Sequence, residues 1–151
     1  MLLKNINLEK IRQNIALARK YKILCIGFFM LGFPTETREE LQATVDFAAN
    51  SDLHAAHIFI VNPYQGTELA KMAQAMGKPT LSDFDNNYIS AGFTNLTNLP
   101  DKELDRIRRR GLVRFWLKPR RIWAIICDHP FKWQLPVLLP PLIKRLLTGI
   151  E

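Results

Sequence analysis

Two short apolar runs constrain this chain more than anything else in it. Ile23 to Leu31 reads ILCIGFFML with no polar side chain, and Ala55 to Val61 reads AAHIFIV with His57 as its one polar residue. Their length and Ile/Phe content favour strands over helices, and apolar character at every position predicts strands covered on both faces, as in parallel sheets. Gly32-Phe-Pro-Thr-Glu36 breaks the first run. Thr37 and Glu40 then stand at capping-box spacing, which predicts a helix to about Asn50 that turns Leu41, Val45 and Ala48 inward and ends by Asp52. The two strands lie roughly thirty residues apart, the length of a βαβ unit with a right-handed crossover.

Helical spacing flanks this unit on both sides. Leu8, Ile11, Ile15 and Ala18 recur every three or four residues behind Asn7, a residue suited to cap a first turn. After the second run, the loop Asn62 to Thr67 leads into a short helix from Glu68 to Met76, closed by Gly77 and Pro79. The order helix, strand, helix, strand, helix makes the class α/β, whose functional edge is the one at which parallel strands end. Residues 32–36 and 62–67 occupy that edge.

Charge divides the chain differently. Residues 1–100 carry nine basic and nine acidic side chains, whereas residues 101–151 carry twelve basic and five acidic, and hold all three tryptophans, Trp116, Trp123 and Trp133. We therefore place a boundary near Leu99 and Pro100, between a first region, 1–99, and a basic helical tail, 100–151. Within the tail, Asp101 to Lys118 predicts a helix with Leu104, Ile107, Gly111 and Phe115 on one face and Arg106, Arg109 and Arg110 elsewhere. Pro119 interrupts it, and a second helix from Arg120 to Asp128 is expected around Ile122, Ile125 and Ile126 before His129 and Pro130 form a turn. The stretch Leu135 to Ile143 is nine residues long with three prolines, far short of the about twenty apolar residues of a membrane span. Met1 to Lys10 is too polar for a signal peptide. Cys25 and Cys127 each sit in an apolar run, which reads as two small buried hydrophobes in a reducing, cytoplasmic setting.

Few residues stand out chemically. The chain has no Gly-x-Ser-x-Gly elbow, phosphate-binding Gly-Lys-Thr loop, His-Glu-x-x-His helix or Cys-x-x-Cys pair. His54 and His57, three apart at a strand entrance, fall on opposite faces and make a poor metal pair. Most of the acidic residues around Thr37 suit a helix start, where the dipole favours negative charge. Glu36 differs, because it lies in the loop at the functional edge.

Gly-Phe-Phe-Met-Leu-Gly-Phe-Pro-Thr-Glu-Thr from Gly27 to Thr37, followed by Asn-Pro-Tyr-Gln-Gly-Thr from Asn62 to Thr67, resembles the radical S-adenosylmethionine enzymes, in the subgroup often fused to a cobalamin-binding domain. There a Gly-(Leu/Phe)-Pro-Gly-Glu-Thr loop follows the fifth strand and a Pro-Tyr-Pro-Gly-Thr loop the sixth. The Arg-rich, Pro-punctuated stretch Arg108 to Arg121 is similar to the tail after that barrel, so the resemblance runs from about Asn5 to Ile125. It implies a partial (β/α) barrel of about two parallel strands with flanking helices, followed by C-terminal helices. It also implies S-adenosylmethionine held at the strand ends. Gly32 would allow close backbone approach, Ile60, Val61 and Asn62 would offer backbone hydrogen bonds to adenine, Leu31 and Phe33 would pack on the nucleoside, and Tyr64 would line the substrate side. Glu36 joins this set by position.

The same resemblance exposes departures. Thr35 replaces the usual Gly and Gln65 the usual Pro. The family's Cys-x-x-x-Cys-x-x-Cys loop, which holds a [4Fe-4S] cluster, is missing together with the first four strands; Cys25 and Cys127 cannot replace it. The resemblance therefore implies neither full S-adenosylmethionine binding nor cluster binding by this chain alone, and leaves cobalamin to the parent enzyme. The partner it implies is a complementary N-terminal segment or a second copy. The competing reading is a non-catalytic interaction module whose Arg108, Arg109, Arg110, Arg120 and Arg121, with Trp116 and Trp123, meet a partner protein or an anionic membrane at the inner face of the membrane. Nothing resembles a nucleic-acid recognition helix or stacking sheet, so no specific nucleic-acid partner is expected.

Overall fold

The computed structural model describes residues 7–81 and 94–128. The expectations for Met1 to Ile6, the His129–Pro130 turn, Trp133 and the stretch Leu135 to Ile143 lie outside the described residues. Helix α1 spans Leu8–Lys20, and Asn7 Oδ1 accepts from the Lys10 N–H at 3.0 Å, the cap expected of it. Strands β1, Ile26–Leu31, and β2, Ala55–Ile60, pair in parallel from Ile26 opposite Ala55 to Leu31 opposite Ile60. Between them runs α2, Arg38–Asn50. Its capping box is complete: Thr37 Oγ1 accepts from Glu40 N–H at 3.2 Å and Glu40 Oε2 accepts from Thr37 N–H at 2.9 Å. Then follow α3, Glu68–Ala75, α4, Asp101–Trp116, and α5, Pro119–Asp128. The class is thus α/β, two parallel strands flanked by helices with further helices at the C-terminal end. Two strands do not close a barrel.

Helices α2 and α4 share one face of the sheet. Leu31 and Ile58 from the strands, Leu41, Val45 and Ala48 from α2, and Leu104 and Ile107 from α4 form the main core. Burying each of the larger side chains contributes about 1.5–3 kcal/mol. Gly111 sets how closely α4 approaches, since a Cβ there would lie 2.3 Å from Val45 Cγ1 and 3.3 Å from Ile58 Cδ1. A second cluster joins Ile15 of α1 to Leu53, Ala56 and Phe115. A third joins Val61 to Ala73 of α3 and to Leu96.

Three expectations are corrected by this packing. The apolar run predicted cover on both faces of β1, yet Ile26, Phe28 and Met30 are exposed, Phe28 retaining 69% of its surface. The helices that cover the sheet lie on the other side, and among the described residues no layer covers this one. Cys127 is exposed on α5 instead of buried, while Cys25 is half-buried just before β1. Arg121, grouped above with surface cations, is buried. Its guanidinium donates to Leu53 O at 3.0 Å, Ser51 O at 2.6 Å, Ala49 O at 3.3 Å and Phe115 O, and lies 3.4 Å from the centre of the Phe115 ring. Three of these carbonyls, of Ala49, Ser51 and Leu53, lie at or just past the C-terminal end of α2 and the fourth lies in the last turn of α4, helix ends where the dipole favours a cation. Trp116 also leaves the surface group, being half-buried edge-on against Phe115.

Candidate functional site

The one-to-one register brings both strands to an end at the same level, and the ladder continues past them through Val61 N–H donating to Leu31 O at 2.8 Å. The loops 32–36 and 62–67 therefore leave the sheet from neighbouring positions. Gly32 makes the first turn with φ +94°, a left-handed conformation that glycine adopts readily. A side chain there would also meet Ile60 Cγ2 at 2.9 Å.

Glu36 folds this first loop back on itself. Its Oε2 accepts from Gly32 N–H at 2.6 Å and Phe33 N–H at 2.9 Å, while its own N–H donates to Phe33 O at 3.0 Å. Burial pushes the Glu36 carboxyl above its ordinary range, against the opposing pull of the Phe33 and Gly32 N–H groups. Both turn amides thus have a partner within the loop, and Glu36 acts on the site through backbone shape.

The second loop is tied from outside. Gln65 N–H donates to Leu81 O and Leu81 N–H to Pro63 O, each at 2.9 Å, in a parallel bridge between Tyr64 and Leu81. Thr67 Oγ1 donates to Tyr64 O at 2.7 Å and accepts from Ala70 N–H at 3.1 Å, so one hydroxyl closes the loop and caps α3. Pro63 is fully buried. Beside it, Asn62 Oδ1 is buried with no hydrogen-bond donor among the described residues. An orphaned buried acceptor costs roughly 1–3 kcal/mol until something donates to it.

The candidate residues thus divide by environment. Phe33 and Tyr64 each keep more than a third of their surface at the strand-end edge. Leu31 is fully buried in the main core, Ile60 packs against that core and Val61 is buried beside Ala73 and Leu96. Asn62 was marked in the sequence for its backbone; its side-chain oxygen is the more unusual group, and only burial reveals it. The ties from Leu81 were not foreseen either, since no local pattern links it to Tyr64.

His54 and His57 serve the sheet. His54 Nδ1 accepts from Cys25 N–H at 3.1 Å at the strand entrance. His57 lies against both Phe28 and Phe59 on the exposed face, with centroids 5.4 and 5.8 Å away and the two phenyl centroids 6.2 Å apart. Among the described residues no three His, Cys, Asp or Glu side chains gather as a metal site.

No family model matches the chain, and no solved structure matches it. Among curated proteins it is 30% identical over 112 residues to an uncharacterized methyltransferase of Pyrococcus horikoshii, a match covering 74% of this chain and 24% of that protein. It is 32% identical over 108 residues to the cytidylyl-2-hydroxyethylphosphonate methyltransferase of Streptomyces wedmorensis, covering 66% of this chain and 20% of that one. It is also 32% identical over 75 residues to a putative methylthiotransferase of Methanocaldococcus jannaschii, covering 50% and 17%. The chain spans about a quarter or less of the length of these relatives, which are methyl- or methylthiotransferases by name.

Proposed function

We propose that this chain supplies the S-adenosylmethionine-binding edge of a radical S-adenosylmethionine methyl-transfer enzyme, as the C-terminal part of its (β/α) barrel. On this reading residues 1–99 are barrel and 100–151 the tail that follows it. The observation that carries it is the pair of adjacent strand exits, one turning through Gly32 at φ +94° and the other holding a buried, undonated Asn62 Oδ1. The methyl- and methylthiotransferase relatives support the same class of chemistry.

The residues present fit the nucleoside part of S-adenosylmethionine. Gly32 keeps side-chain bulk away from the edge, Phe33 and Tyr64 offer partly exposed rings, and Asn62 Oδ1 would accept from a ligand N–H or O–H. They do not fit an iron–sulfur cluster. The chain has two cysteines, Cys25 at the strand entrance and Cys127 on α5, against the three thiolates of the family's loop. The chain's own contribution is therefore to bind and position, with the cluster, and any cobalamin, held by a complementary N-terminal segment.

Anaerobic reconstitution with iron and sulfide tests this. The chain alone should show no cluster absorbance, whereas addition of the complementary segment carrying the cysteine triad should release 5′-deoxyadenosine from S-adenosylmethionine. Asn62→Ala in that mixture should weaken S-adenosylmethionine binding about tenfold, the worth of one buried hydrogen bond. Absence of cleavage in the reconstituted mixture would refute the proposal.

A further inference from the structure

The first turn of α5 buries a cation and exposes apolar side chains. Arg121 is 6% exposed and donates to four backbone carbonyls, while Ile122 and Trp123 are exposed, Trp123 at 69%. Leu117, in the short link between α4 and α5, is 68% exposed. Arg106, Arg110 and Val113 of α4 and its C-cap Leu117 follow one another at spacings of four, three and four, which places them on a single stripe. That stripe runs from two exposed arginines to two exposed apolar residues and ends two positions short of α5.

The charges on this surface are available. Arg108 and Arg109 are engaged by Asp105, and Arg114 by Asp46. Arg106, Arg110 and Arg120 are exposed and carry no ion pair among the described residues. A large indole and two aliphatic side chains exposed on α5 and at the end of α4, together with guanidinium groups that have no carboxylate partner among the described residues, complement a surface that is apolar beneath and negatively charged above. We propose that this face docks on an anionic lipid surface, with Leu117, Ile122 and Trp123 entering the headgroup boundary and Arg106, Arg110 and Arg120 meeting lipid phosphates. Such contact is peripheral: no described helix is long and apolar enough to cross a membrane.

The test uses the full chain with Trp116→Phe and Trp133→Phe, so that fluorescence reports Trp123 alone. Phosphatidylcholine vesicles containing phosphatidylglycerol should shift its emission to the blue and bind the chain at least tenfold more tightly than phosphatidylcholine alone. High salt should reverse this preference. Arg110→Gln with Arg120→Gln should lower partitioning roughly twentyfold, about fivefold per charge, with an unchanged far-ultraviolet circular dichroism spectrum. Equal binding to neutral and anionic vesicles would overturn the proposal. So would Trp123 emission that is blue-shifted before lipid is added and insensitive to it; size-exclusion chromatography would then assign the face to a second copy or to residues 129–151.

Discussion

Glu36 illustrates how one carboxylate can shape a site without reacting in it. Its Oε2 gathers the amides of Gly32 and Phe33, and burial raises its proton affinity above that of a free side chain with its ordinary value of 4.5. The folded chain therefore holds this proton more tightly than the unfolded chain does. The stability linked to protonation is fully present below the unfolded value and is lost as pH rises through the raised folded value. Urea unfolding between pH 4 and 7 should show this decline in the natural chain and its absence in Glu36→Gln. Glu36→Ala, which leaves both amides without an acceptor, should destabilise by about 1–3 kcal/mol. The loop position of Glu36 was readable from the residue order; its inward aim was not, because five residues of loop permit several closures and only the packed loop selects one.

Helix α4 shows the same division over a longer stretch. Leu104, Ile107, Gly111 and Phe115 were expected on one face, and all four are buried. Periodicity was sufficient for that, since a helix fixes which residues share a side. It gave no sign that Gly111 would be the point of closest approach to Val45 and Ile58. Gly111→Ala should therefore destabilise the chain by about 1–3 kcal/mol through overpacking, overcoming the roughly 1 kcal/mol that alanine gains in helix propensity. A lower urea midpoint would be the readout; a higher one would mean that Val45 moves aside without penalty. Helix α5 followed its proline boundary, but the side it buries is organised by Arg121. Composition could not announce this, because the acceptors are backbone carbonyls of residues 49, 51, 53 and 115, which any sequence possesses.

Taken together, the described residues cover one side of the sheet and leave the other open. Ile26, Phe28 and Met30 of β1 lie exposed there, with Phe28, His57 and Phe59 stacked across the strands in planes within 12° of one another. A contiguous apolar sheet face in water favours association. Sedimentation velocity should accordingly find the chain self-associating, and Phe28→Lys should shift it toward monomer while changing stability by no more than about 0.5 kcal/mol, as for other exposed positions. An unchanged distribution would show that another surface mediates any assembly.

Strands, helices, caps and the two edge loops were all present in the order of residues, because each depends on neighbours a few positions away: an unbroken apolar run, helical spacing, a capping side chain, a glycine or a proline. Parallel pairing followed from the thirty-residue interval. Only the packing decided that, among the described residues, β1 keeps one open face, Arg121 turns inward while Trp123 is exposed, and Asn62 Oδ1 is enclosed without a donor. Burial is set by what lies against a residue, and those contacts join segments far apart along the chain.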